Sequence, residues 1–402
     1  MSYIFHSNNY FTLIDSSPKN GVFCQIFSSS YTPKAIPIHS QHTTAYSAHM
    51  DENGKIYVAT MPDDSHLNYY IHEGNRFKRY TLVSNANSNY HLASPVIYTV
   101  QNIPYMVYLS HQSHSETYNF VQENLAQPEL ITLMTCYTQP TLIKHYATSS
   151  KVLIFFVTFN ENYQLNALEI NQGKVSSTTY LTTSQPISDY SVCMEDDLLH
   201  ISYVSELHGK YQLSYFNTHS NQISVLTTTQ YPCLPAVFCF CNLLWINAII
   251  GSKLQMLISI DNGKTFSIPV PCSLQNNIHR CHFLTHKSSS FVGQEVYASI
   301  TSNLKLCTLY MIDLPGFHLD TMISPELELL LEGLMLSVDT LSKTPAISPT
   351  LTPSSSKSYE VPTSKEMPSP TRSTPSNNNS SIDEAKNAFM NELSGWELPP
   401  LV

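Results

Sequence analysis

A four-part pattern of short β-type runs repeats along this chain every 45 to 48 residues, with first runs starting near residues 43, 91, 139, 187, 233 and 278. A period of that size constrains the fold more than any local propensity, because each unit must bury its apolar faces against its neighbours. One unit reads clearly. The run 43–50 meets a turn containing Asp51 and Gly54, then the alternating run 55–61; a polar loop with Asp63 and Asp64 leads to 67–72, and Gly74 and Asn75 turn the chain into 77–83. Turn residues between period-2 runs mark antiparallel hairpins. Third runs superimpose best, at 165–170, 211–216, 254–259 and 306–311. Upstream, 10–15, 22–27 and 34–38 supply the last three runs of a further unit, with 1–5 as its shortened first.

A four-stranded sheet cannot cover both faces alone, and radial stacking with ring closure removes the long exposed edges that aggregate. The expectation is therefore an all-β fold, a β-propeller of seven four-stranded blades within residues 1–322. A linear solenoid would need shorter repeats and more glycine at its corners. With only 11 glycines, these turns rely on Asn, Asp and Ser.

The run Ser259-Ile260-Asp261-Asn262-Gly263-Lys264-Thr265-Phe266 falls at the turn between third and fourth strands. There Gly263 admits φ > 0, Ser259 and Asp261 can bond the turn's amides, Thr265 completes the pattern and Phe266 buries into the blade. This segment resembles the Asp-box, or BNR repeat, of sialidase-like propellers, in which it is a fold-stabilising turn. Residues 73–77 and 171–175 are degenerate versions in the same slot. The resemblance also implies what a sialidase would require: three arginines from different blades gripping the substrate carboxylate, a tyrosine paired with a glutamate, and an acid/base aspartate. The whole chain has four arginines, Arg76, Arg79, Arg280 and Arg372. Arg76 and Arg79 share one outer strand and cannot meet Arg280 at the axis, so no catalytic residue is assigned and the reading leans away from an enzyme.

Other chemistries find little support. Lys+Arg 20 against Asp+Glu 30 gives a formal charge of −10, which argues against a sequence-independent nucleic-acid binder, and no nucleic-acid partner is expected. No nucleophile elbow, P-loop or dinucleotide fingerprint occurs. Acidic clusters such as Asp51 with Glu52, and Glu195 with Asp196 and Asp197, read as solvated turns. The nine cysteines include no C-x-x-C pair and behave as small apolar residues. Cys239 and Cys241 share one strand face, whereas His39/His42, His111/His114 and His279/His282 are three apart and point to opposite faces. No metal and no cofactor is assigned.

In such a wheel the innermost strands line a central channel. Aligning them brings Thr43, Ser94, Lys144, Asp189 and Arg280 to comparable positions, where Lys144 and Arg280 would set positive charge beside Asp189. Such a group could hold an acidic sugar or another anionic ligand at the channel mouth, or could be ion pairs that close a narrow channel.

Beyond residue 322 the composition changes. Leu327, Leu331, Leu334, Val338 and Leu341 predict an amphipathic helix over 323–343, capped by Ser324 and Pro325. Residues 344–380 hold seven prolines and sixteen Ser/Thr with no apolar period, the composition of a disordered linker. The capping box at Ser381 opens a second helical segment over 381–402, with Ile382, Ala385, Phe389 and Leu393 as a stripe and Trp396 after it. The expected function is a cytoplasmic, non-enzymatic scaffold or adaptor whose C-terminal helix docks a protein partner. The alternative is a glycan-binding or glycoside-active propeller using the channel mouth. Neither a basic leader with an apolar core nor an apolar run of membrane-spanning length is expected.

Overall fold

The structure, a computed structural model, describes residues 1–309 apart from 8–9, 29–33, 74–75, 85–88, 128, 149–150, 172, 241–242 and 286–290. The two predicted C-terminal helices and the linker, with Ile382, Ala385, Phe389, Leu393 and Trp396, lie outside the described residues.

All regular elements among the described residues are strands, and they follow one another as antiparallel meanders. The N-terminal group is β1 (Ser2–Ser7), β2 (Tyr10–Ser17), β3 (Gly21–Phe27) and β4 (Ile36–His39). Four four-stranded sheets come next: β5 (Ala45–Met50), β6 (Ile56–Asp63), β7 (His66–Glu73), β8 (Arg76–Ser84); β9 (Tyr90–Val100), β10 (Ile103–Gln112), β11 (Tyr118–Asn124), β12 (Leu130–Cys136); β13 (Thr141–Ala147), β14 (Lys151–Asn160), β15 (Asn162–Asn171), β16 (Lys174–Thr183); and β17 (Ile187–Glu195), β18 (Leu198–Leu207), β19 (Lys210–Asn217), β20 (Ile223–Thr229). Then come β21 (Pro235–Phe240), β22 (Leu243–Ile250), β23 (Lys253–Ser259) and β24 (Val270–Pro271), and finally β25 (Ile278–Thr285), β26 (Phe291–Val292), β27 (Glu295–Ile300) and β28 (Leu304–Leu306). The predicted first strands coincide with β5, β9, β13, β17, β21 and β25.

Two features depart from simple repetition. The seam of the ring is a seven-stranded sheet: β1 pairs in parallel with β25, Ser2 opposite Cys281 and Phe5 opposite Leu284, so the N-terminal group and the last group share one ladder. In the ladder β25-β27-β28 the third strand begins earlier than the predicted 306–311, of which 310–311 lie outside the described residues. It is β28, and the chain leaves it through Thr308 at φ 69, a left-handed conformation that ends the extended run.

Ring closure follows from the burial. Each of six apolar cores straddles neighbouring sheets, from Ile14, Val22, Met50 and Val58 between the first two groups, through Phe155, Tyr190 and Ile201, to Ile4, Phe238, Trp245 and Val296 at the seam. Inner strands are additionally tied side to side. Ser47 Oγ accepts the Ile97 N–H at 3.2 Å, and Ser191 Oγ accepts the Val237 N–H at 3.0 Å, the same link made 144 residues later. Small hydroxylated residues suit these positions because the inner backbones approach closely while their amides still need acceptors. The described residues form a β-propeller.

Candidate functional site

Three inner strands bulge near their starts. The ladder shifts around Ser94-Pro95 in β9, around Leu142-Ile143 in β13 and at Ser188 in β17, and Ser94 and Leu142 have φ 51 and 50. A bulge inserts a residue and re-aims the side chain that follows it. Here the residues after two of the bulges are Lys144 and Asp189.

They meet at the axis. Lys144 Nζ lies 3.1 Å from Asp189 Oδ1 and 3.0 Å from Glu295 Oε1, donates to the Tyr190 carbonyl, and sits 4.9 Å from the Tyr190 ring centroid. Arg280 Nη1 lies 2.6 Å from Asp189 Oδ2 and donates to the Pro235 carbonyl at 2.9 Å. The Tyr190 N–H donates to Asp189 Oδ1 at 2.8 Å. All four charged side chains are largely buried. Burial works against the charge on Arg280, yet the carboxylates of Glu295 and Asp189 hold its pKa above the ordinary value. Burial, then the same two carboxylates, push the Tyr190 phenol up. Two cations and two carboxylates therefore neutralise one another inside the hub, each spanning from one sheet to another.

Of the five predicted channel residues, the structure brings Lys144, Asp189 and Arg280 into one cluster. Ser94 lines a cavity of about 190 Å³ beside it, together with Tyr46, Lys144, His145, His282 and Glu295. Thr43 does not line that cavity; it precedes β5, and its Oγ1 has no hydrogen-bond partner. Glu295 was not anticipated, because it sits on β27, one strand out from the inner β25, opposite His282. Its one available signal is Gly293, at φ 148: a Cβ there would lie 2.6 Å from that of Phe238, so only glycine lets the chain pass from β26, paired to β21, into β27.

Below the ion cluster, the His145 and His282 rings stack with centroids 4.9 Å apart. Burial pushes His145 down to about 4, and burial, then the charges of His145, His49 and Lys144, push His282 well below the ordinary histidine value. Both are neutral rings near pH 7. A second cavity of about 260 Å³, lined by His49, Thr99, Thr285 and Gln294 among others, lies on the far side of Tyr146.

The turn between β23 and β24 closes on itself. Ser259 Oγ donates to Asp261 Oδ1 at 2.7 Å and accepts the Gly263 N–H at 2.8 Å; Asp261 accepts the Thr265 N–H at 2.9 Å and the Thr265 hydroxyl at 2.7 Å. Gly263 adopts φ 84, and Phe266 meets Tyr215 of the neighbouring sheet edge-on at 4.9 Å. One acidic residue expected in a solvated turn is buried, and another lies partly exposed at a strand end. Asp51 is buried and accepts the N–H groups of Asn53 and Lys55, and Glu195 ends β17 facing His200. A carboxylate that caps its own turn can be buried because the turn's amides satisfy it.

No family model matches this chain, and no curated protein matches its sequence. Several solved structures resemble it in shape. The SapL1 lectin, solved with alpha methyl fucoside, has 10% identity and a TM-score of 0.42 over 66% of this chain and 94% of that one. The six-bladed β-propeller lectin of Aleuria aurantia has 10% identity and a TM-score of 0.40 over 67% and 94%. BBS1N, solved in complex with ARL6DN, has 12% identity and a TM-score of 0.43 over 74% and 86%. Likenesses this distant carry no functional argument. No helix among the described residues is long and apolar enough to cross a membrane.

Proposed function

We propose that this chain is a non-catalytic protein-interaction scaffold: a seven-bladed propeller of the Asp-box kind, working in the cytoplasm, with a tethered C-terminal segment that recruits a partner. The observation that supports this reading is the distribution of exposed apolar side chains. In an antiparallel meander, the connections from second to third strand and from fourth strand to the next unit share one rim. That rim carries Tyr137, Phe159 and Tyr231, exposed to 81%, 53% and 61%, and also Tyr90, Leu207 and Leu234. Aromatic residues exposed on one rim of a rigid frame are the kind of anchor that protein interfaces use. The hub favours the same reading, because Lys144 and Arg280 are committed to internal carboxylates and so are not free to grip an acidic sugar.

A glycan-binding role is the second reading. It is favoured by the cavity beside Ser94, whose lining residues Glu295 and His145 each carry a buried polar atom, Oε2 and Nε2, without a hydrogen-bond partner. Such acceptors suit the hydroxyls of a neutral sugar.

Cross-linking capture from the cells that make the protein separates the readings. The full chain is compared with Tyr137→Ser/Tyr231→Ser and with Phe389→Asp/Trp396→Ala, alongside a glycan array. The scaffold reading expects specific proteins that are lost from both variants and a silent array. Equal capture by all three forms, or glycan binding abolished by Ser94→Trp, refutes it.

A further inference from the structure

We infer that the chain holds a divalent transition-metal site, suited to Zn²⁺, at the junction of the β17–β20 sheet and β21, with Glu195, His200 and Cys239 as its protein ligands. The donor atoms of these three residues all lie within 4.8 Å of one another. The backbone puts them there. Cys193 and Glu195 are two apart on β17 and share a face; His200 on β18 is the register partner of Cys193 and projects on that same face; Cys239 comes from β21, the inner strand of the next sheet.

The state of His200 points to a ligand. Tyr215 Oη lies 2.6 Å from His200 Nδ1 and also accepts from Asn217 Nδ2 at 3.3 Å, so the far side of the imidazole is held in place. In the tautomer in which Nδ1 donates to the Tyr215 hydroxyl, Nε2 presents its lone pair to the cluster. The residue is fully buried, yet Nε2 has no hydrogen-bond partner. It faces Glu195 Oε2 across 3.8 Å, too far for a hydrogen bond. Metal-binding histidines are held in this way, by a hydrogen bond at the far nitrogen that orients the ring toward the ion.

Spacing and chemistry agree on the ion. A tetrahedral Zn²⁺ with bonds of about 2.0–2.3 Å holds its donors roughly 3.3–3.8 Å apart, so donors now within 4.8 Å need to close by at most about 1.5 Å. Imidazole and thiolate select a borderline-soft metal over Mg²⁺ or Ca²⁺, which take oxygen donors. Cys193, whose Sγ is 3.9 Å from that of Cys239, or a water fills the fourth position. Binding releases the Cys239 thiol proton to solvent and joins the two sheets by coordinate bonds.

The test uses full-length chain stripped with chelator under reducing conditions, then titrated with Zn²⁺ and, separately, Co²⁺. The expected result is one ion per chain, a rise in Tm, and a sulfur-to-cobalt charge-transfer band that Cys239→Ser removes; a band halved by Cys193→Ser identifies the fourth ligand. Glu195→Gln, at a half-exposed strand end where folding is not at stake, weakens binding by at least about tenfold, and Tyr215→Phe by about 10- to 100-fold. A folded, reduced chain that takes up no stoichiometric metal overturns the assignment. So does uptake that is indifferent to both Cys239→Ser and Glu195→Gln, or a Cys193–Cys239 disulfide in place of metal.

Discussion

Replacing Lys144 by methionine tests whether the hub is held by its ion cluster. The lysine is the one cation within 4 Å of Glu295 among the described residues, and it also bridges to Asp189, which keeps Arg280. Lys144→Met therefore leaves one carboxylate, Glu295, buried without its contacting cation, with Arg280 acting on it only from beyond 4 Å. Removing one partner of a buried pair costs about 3–5 kcal/mol, because the survivor remains desolvated. At about 2.1 cal/mol/K per residue over roughly 300 residues, the unfolding entropy is about 0.6 kcal/mol/K, so Tm should fall by about 5–8 °C. The double variant Lys144→Met/Glu295→Gln removes the orphaned charge while keeping Asp189 with Arg280. It should recover at least about 1.5 kcal/mol, a coupling of the size found between contacting residues. Scanning calorimetry on the wild type, both singles and the double gives all four corners of the cycle. The effect should persist at high salt, since screening acts on exposed charges. A single-variant loss under about 1 kcal/mol, or strict additivity of the two changes, would refute the reasoning that these charges compensate one another in the hub.

Three further outcomes follow from named contacts. Gly263→Ala should cost about 2–4 kcal/mol, since its Cβ would fall 2.1 Å from Tyr215 Oη at φ 84, whereas Gly54→Ala, at φ 78 with open space around it, should cost only about 1–2 kcal/mol; equal denaturation midpoints for the two would count against that contact. His145 has a folded pKa of about 4, below its unfolded value, so the unfolded chain binds more protons between the two: stability is full above about 6.5 and drains by up to about 3 kcal/mol as pH falls to about 4, with His282 adding to the same trend. Urea midpoints that do not move between pH 7 and 4.5, or a slope unchanged in His145→Gln, would contradict it. Tyr137→Ser should leave Tm within about 1 °C, because surface substitutions away from contacts stay within about 0.5 kcal/mol; a larger drop would mean that this side chain packs against something.

The strand order was legible because it is periodic. Turn residues at Asp51, Gly54 and Gly173, set between alternating runs, mark hairpins wherever they recur, and the structure places strand ends at those turns. The seam was not legible. Parallel pairing of β1 with β25 joins residues about 280 apart, and nothing local in either strand distinguishes it from its siblings. The early end of β28 was missed for a related reason: Leu306, Cys307 and Leu309 are apolar and buried whether the chain is extended or turning, so the apolar run hides the positive φ at Thr308.

The site divides along the same line. Lys144, Asp189 and Arg280 came within reach because inner strands can be aligned by counting from their turns, and the count survived the bulges only because the bulges recur at matching positions. Glu295 and His200 escaped because each acts on a strand beside the inner one, where a one-residue change in register reverses what a side chain faces. What unites them is their place between sheets. Lys144 reaches from β13 to β17 and β27, Arg280 from β25 to β21, and Tyr215 touches the 259–266 turn while orienting His200. Apolar packing is non-directional and would let neighbouring sheets slide; polar links with fixed geometry between them set how far each sheet is rotated from the next. A wheel locked in this way can hold aromatic side chains from successive sheets at constant spacing on one rim, and a rigid display of that kind reduces the ordering entropy that a partner would otherwise face on docking.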